Sequence, residues 1–121
     1  MEARQVRQRQ EGGMIIKIGH VDVSVRALPP QHADEAEMDG VYRLPTHDIA
    51  VRPDRSPAEQ ARFLIHELMH AMFDIFKLRV PEDEEDMVRQ LDMPFATVIR
   101  DNPSLLGVLH QALCNGKPIV R

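Results

Sequence analysis

From Ala58 to Leu78 the chain carries neither glycine nor proline, and Ser56-Pro57-Ala58-Glu59 stands immediately before and at the start of that stretch. A serine ahead of a helix accepts a bond from a free first-turn N–H. Proline suits the first helical position, and a glutamate three residues on returns the serine's bond. The segment is therefore predicted to be one helix with a fixed start. With His66 at zero on the helical wheel, Leu64, Ile65, Leu68, Met69, Met72, Phe73, Ile75 and Phe76 fill a broad arc. His66, Glu67 and His70 take the remaining sector. A helix apolar over most of its girth has to be packed on most of its girth, and its polar sector is expected to face a cleft.

What precedes this helix reads as sheet. Met14-Ile15-Ile16-Lys17-Ile18, then Val21, Val23 and Val25 alternating with polar residues, predict two strands hinged near Gly19-His20 and ended by Pro29-Pro30. Residues 31–40 are acidic and turn-like. Val41 to Leu44 and Asp48 to Val51 predict two short strands around Pro45-Thr46-His47. Residues 1–13 lack apolar periodicity and are expected to form a flexible tail, leaving 14–121 as a single domain. After the central helix, Pro81 is expected to open a second one reaching Asp101, kinked or divided at Pro94. A third is expected to be capped by Asn102, with Pro103 at its first position, and to end at Asn115-Gly116. The predicted fold is α+β: a three- to four-stranded, mainly antiparallel sheet on one central helix, followed by two more. The methionines Met38, Met69, Met72, Met87 and Met93 are expected to fill core gaps.

With 121 residues and a net charge of −4, the chain has no basic stripe for nucleic acid; Arg4, Arg7 and Arg9 are the local exception. A lone Cys114 excludes an internal disulfide and is expected to pack near the end of the last helix. No membrane span or signal peptide is apparent, and a cytoplasmic location is expected.

His66-Glu67-Leu68-Met69-His70 is an H-E-x-x-H pattern. On a helix the two imidazoles lie one turn apart and can share one metal ion, with the intervening glutamate placed to polarise a metal-bound water. Two histidines and a carboxylate suit zinc, and a catalytic zinc needs three protein ligands and an open position. The long form of the motif would need Gly at 73 and His at 76, where Phe73 and Phe76 stand; a site using an upstream cysteine fails because Cys114 lies far downstream. The run Glu82-Asp83-Glu84-Glu85-Asp86 offers the remaining carboxylates, although acids in a first helical turn also serve the helix dipole. If Val88, Leu91, Phe95 and Val98 mark the buried face, Glu85 borders it, Glu84 lies at its middle and Asp86 points away. Glu85 is the expected ligand and Glu84 the alternative.

The sequence resembles the small H-E-x-x-H proteins of phage and bacterial genomes related to the ImmA/IrrE metallopeptidases, a minimal gluzincin-type family. The resemblance rests on Asp48-Ile49-Ala50-Val51, on Phe63 to Ala71, on Glu85-x-x-Val88-x-x-Leu91 and on Arg100-Asp101-Asn102-Pro103, and spans roughly residues 14 to 110. It implies His66, His70 and Glu85 as zinc ligands, Glu67 as general base, and a protein or peptide substrate such as a repressor or regulator. No helix-turn-helix or sensor module accompanies the motif.

Tyr42, His47 and His110 are the candidate donors to an oxyanion. An extended substrate is expected to pair with an exposed sheet edge, for which Asp48 to Val51 is the candidate. Two alternatives stand beside hydrolysis. One is a zinc-stabilised interaction or regulatory protein of a mobile element, without catalysis. The other treats acids 82–86 as an exposed docking surface.

Overall fold

The computed structural model describes Arg7–Gln8, residues 13–29 and residues 38–121. Its strands are β1 (Arg7–Gln8), β2 (Met14–Ile18), β3 (Val21–Ala27), β4 (Gly40–Arg43) and β5 (Asp48–Val51). Its helices are α1 (Pro57–Ile75), α2 (Glu84–Asp101) and α3 (Leu105–Asn115). The architecture is α+β, and the sheet is mixed, in the order β1-β2-β3-β5-β4.

The alternation along β2 and β3 sends Met14, Ile16, Ile18, Val23 and Val25 to one face, where they are sealed, while Lys17 and Arg26 face solvent. That face receives Leu64, Leu68, Ala71 and Met72 of α1, Val98 of α2, and Leu105, Leu109 and Ala112 of α3. Each large aliphatic side chain so covered contributes about 1.5–3 kcal/mol. Gly13, just ahead of β2, passes so near Val25 that an added Cβ would lie 1.9 Å from the Val25 carbonyl oxygen, so glycine is obligatory there.

Order within the sheet departs from expectation. β5 pairs parallel with β3 through Ser24–Asp48 to Ala27–Val51, and antiparallel with β4 on its other side. It is therefore interior, and all four of its residues are buried. Ile49 and Val51 face the helices, while Ala50 packs with Leu28, Met38 and Val41 on the opposite face. Strand pairing on both edges and packing on both faces is what buries it. Among the described residues the outermost strands are β1 and β4, so Asp48–Val51 is not an edge, and β4 (Gly40–Arg43) is the outer strand beside it.

Three local readings change as well, and of the two alternatives at Pro94 the division falls. Arg7–Gln8, within the expected tail, pairs antiparallel with Ile15 and Met14; the rest of residues 1–12 lies outside the described residues, as does 30–37. α2 begins at Glu84 with Asp83 as N-cap, whose side chain accepts from Asp86 N, rather than at Pro81. Pro94 is accommodated inside α2 without dividing it. Asn102 does not start α3, whose N-cap is Ser104; it closes α2 instead. The Asn102 amide accepts from Lys17 N (2.7 Å), donates to Lys17 O (2.7 Å) and to Val98 O (2.8 Å), and so occupies the β2 edge like a missing strand. A buried amide able to satisfy three backbone groups is worth more there than as a cap. Gly116 ends α3 in the left-handed region (φ 67), as expected. Of the methionines thought to fill the core, Met72 does and Met38 packs at its edge, whereas Met69, Met87 and Met93 are exposed; Cys114 is exposed too. No helix among the described residues is long and apolar enough to cross a membrane.

Candidate functional site

α1 starts where the capping box sets it: Ser56 Oγ accepts from Glu59 N (3.2 Å) and Glu59 accepts from Ser56 N (3.1 Å). That start, with Ala61, Leu64, Leu68, Ala71 and Met72 fixed in the core, sets the rotation of the helix and presents His66 and His70 outward. Their ring centroids are 4.9 Å apart, with planes at 69°. Two imidazoles bound through nitrogen to one zinc place their centroids about 3 Å from it, hence about 5 Å apart at a tetrahedral angle. The centroid spacing matches that value.

Glu67 lies round the helix from them and is 8% exposed, against the edge strand. Gly40 makes room for it: a Cβ there would come within 3.5 Å of Glu67 Cγ and 3.7 Å of Oε2, as well as 3.2 Å of the Ala50 carbonyl. β4 is held in place at its start, where Asp39 O accepts from Arg52 N (3.0 Å) and the Asp39 carboxylate pairs with Arg55 (3.0 Å). Among the described residues Glu67 takes no hydrogen bond, and no buried side-chain oxygen or nitrogen is left sealed without a partner.

Two residues further along β4, and two turns along α1, a second polar cluster forms. Tyr42 Oη lies 2.7 Å from Asp74 Oδ2 and 2.9 Å from His47 Nδ1. An ionised carboxylate only accepts, so the single hydroxyl proton goes to Asp74 and the phenol oxygen accepts from His47 Nδ1–H. Burial, then the Asp74 hydrogen bond and charge, push the Tyr42 hydroxyl well above its ordinary range. His47 sits in left-handed backbone (φ 52), in a turn pinned by the buried Asp48 carboxylate, which accepts from Arg43 (3.0 Å) and from the Thr46 hydroxyl. A non-glycine residue held there costs on the order of 1 kcal/mol.

The acids of 82–86 are not equivalent. Asp86, expected to point away from the core, is the buried one (7% exposed), accepting from the Arg79 guanidinium, Glu82 N (2.9 Å) and Gln90 (3.4 Å). Glu84 and Glu85 are exposed, and Glu85 reaches only Arg89, at 3.5 Å. This changes the expected buried face of α2 in part: Val88 and Phe95 lie outside, as does Ile99, Leu91 is half-covered, and Val98 is packed as expected, beside Asp86 and Pro94. The charged anchor Asp86–Arg79 and the Asn102 stitch fix the helix rotation, overriding the apolar stripe.

The structure places His66 and His70 side by side on the exposed face of α1, whereas Glu67 is buried round the helix against β4, so the three do not share the one cleft-facing sector expected; Tyr42 is joined to His47. It does not bring Glu85 or Glu84 to the imidazoles, and His110 is exposed on α3. Among the described residues no group of three or more His, Cys, Asp or Glu side chains stands close enough to hold a metal. Sequence reasoning missed Asp74 and Gly40. Asp74 was detectable, four residues past His70 on the same helical face; Gly40 read as part of a turn. Comparison with protein-family models, with curated proteins and with solved structures returns no match.

Proposed function

We propose that the chain is a zinc-dependent metallopeptidase of the zincin-like type that hydrolyses peptide bonds of a protein substrate. The observation that carries this reading is the imidazole pair at 4.9 Å with the unpartnered Glu67 on the same helix, tucked against an edge strand. His66 and His70 would hold the ion. Glu85, with Glu84 as the alternative, would complete the set from the first turn of α2. The Glu85–Arg89 pair is a surface contact worth at most about 1 kcal/mol, and recruitment of Glu85 would in addition require α2 to shift from the position that Asp86–Arg79 and Asn102 hold. Zinc, when bound, supplies an acidified water and positive charge for the developing oxyanion.

The remaining chemistry belongs to the chain. Glu67 takes a proton from water and returns it to the leaving amine. The outer edge of β4, unpaired among the described residues, would offer main-chain hydrogen bonds to an extended peptide and orient it beside Glu67. Tyr42 is committed to Asp74 and serves that cluster rather than the oxyanion. The resemblance to ImmA/IrrE metallopeptidases supports a regulator or repressor as the substrate class. The decisive comparison is cleavage of a denatured protein mixture by zinc-supplied wild type and Glu67→Gln; unchanged cleavage in the variant rejects the reading.

A second reading, a zinc-binding interaction protein without turnover, is favoured by one observation. The stripe Val88, Phe95 and Ile99 on α2 is exposed beside acids that are not gathered around the histidines. Metal binding with no cleavage of any protein would select it.

A further inference from the structure

One face of α1 is turned to solvent. Glu59, Arg62, His66, Met69 and His70 are exposed along it, and the half-buried Phe63 and Phe73 border it. Glu67 does not belong to this face, being buried round the helix against β4. The two imidazoles, with ring centroids 4.9 Å apart, therefore point away from the body of the protein. Among the described residues no further His, Cys, Asp or Glu of the same copy joins them in a group able to hold a metal.

Two such donors fill half the positions of a tetrahedral ion, and the others have to come from something that can reach an outward helix face. The residue pattern identifies it. Taken from Leu68, the face reads alike in both directions, as Phe63-x-x-His66 on one side and His70-x-x-Phe73 on the other. An identical helix laid antiparallel across it by a two-fold axis sets His70 at the level of His66 and Phe73 at the level of Phe63, the self-complementary pattern of a symmetric pair. At the levels of Arg62 and Glu59 the antiparallel copy brings Asp74 and Lys77, so no like charges are forced together. Met69, 39% exposed, adds apolar surface beside the imidazoles.

We propose that two copies of this chain share one zinc through His66 and His70 of each, and that this pairing regulates the site. The inference rests on the peptidase reading for what is regulated, and on the exposed histidine pair alone for the association. Four imidazoles leave no open position, so in the pair Glu67 has no metal-bound water to act on, and the pair is the silent form. The helix face is small. Its 19 residues, at about 1.5 Å each, make a strip about 28 Å long and about 10 Å wide. That is well short of the roughly 800 Å² per partner of a stable interface, so contact alone does not hold two copies and the association depends on the ion. The metal-free chain is monomeric, half a zinc per chain pairs it, and further zinc separates the copies, each keeping its own ion.

Sedimentation velocity of the full chain, stripped of metal and titrated with zinc sulfate, reads the mass, and bound zinc is measured on the same samples. The expected result is a monomer without zinc, a doubled mass at half a zinc per chain, and a return to the monomer in excess zinc or chelator. His66→Ala and His70→Ala, changes at exposed positions, should stay monomeric at every ratio, whereas Glu85→Ala should pair like the wild type. An unchanged mass at half a zinc per chain overturns the proposal. Pairing without zinc, pairing in either histidine variant, or loss of pairing in Glu85→Ala overturns it too. The two readings fall separately. Zinc held by a monomer at every ratio, with cleavage that depends on Glu67, overturns the pair and leaves the peptidase standing. A doubled mass at half a zinc per chain, with cleavage unchanged in Glu67→Gln, does the reverse.

Discussion

Replacing Gln60 with leucine tests how much of the fold hangs on one buried amide. Gln60 is 1% exposed near the start of α1. Its Oε1 accepts from Ile119 N (2.8 Å) and Val120 N (3.0 Å), and its Nε2 donates to Pro53 O (3.3 Å) and Arg55 O (3.2 Å). The amide thus ties the C-terminal segment to the loop before the helix. Leucine has nearly the same volume, so no large cavity opens and the loss is polar. Ile119 and Val120 are buried, and each N–H left without a partner costs about 1–3 kcal/mol. The half-buried Pro53 and Arg55 carbonyls cost less, because solvent can reach that loop. Added apolar burial returns about 1 kcal/mol. The net is a loss of about 3 kcal/mol, or roughly 10 °C in Tm for a domain of this size. Urea and thermal melts followed by circular dichroism measure it. In a chain ending at Pro118 the same substitution should cost under about 1 kcal/mol, since its main partners are gone. A loss below about 1 kcal/mol in the full chain, or an equal loss in both, refutes the reasoning.

Tyr42 is the only tyrosine and there is no tryptophan, so phenolate absorbance reports it alone. With its folded pKa raised, Tyr42 contributes stability that is complete below the ordinary value of about 10 and lost as pH rises through the folded value. No phenolate should appear near pH ~10 while the protein is folded, and Asp74→Asn should bring ionisation down; an ordinary titration in wild type contradicts the cluster. Asn102→Ala leaves both backbone groups of Lys17 unpaired and should cost about 2–3 kcal/mol in chemical denaturation, with Asn102→Asp intermediate. Val98→Ala should cost about 2 kcal/mol, whereas Val88→Ala should stay within about 0.5 kcal/mol; comparable losses would mean that α2 is rotated from the arrangement described.

Local signals carried much of this structure. Ser56, Pro57 and Glu59 announce the start of α1, Gly116 the end of α3, and the alternation from Met14 to Val25 announces the β2–β3 hairpin. What escaped depends on partners distant in sequence. Nothing local to Asp48–Val51 says that β3 will pair alongside it and move the edge to β4. The stripe from Val88 to Phe95 looks like a buried face until Asp86 meets Arg79 and Asn102 meets Lys17. At the candidate site the pairing of His66 and His70 was legible because helical spacing alone aligns them, whereas the burial of Glu67 against β4 was not. Gly40 and the Tyr42–Asp74 contact were not, because they record how a strand crosses a helix.

Metal stoichiometry tests the central claim most directly. Protein purified without a metal-binding tag, supplied with zinc and dialysed, is measured by mass spectrometry beside His66→Ala, His70→Ala and Glu85→Ala. The account predicts about one zinc per chain in the wild type, as a single catalytic site requires, with loss in all three variants. Loss in the histidine variants alone moves the third ligand to Glu84 or another acid, and a wild type that retains no zinc contradicts the account.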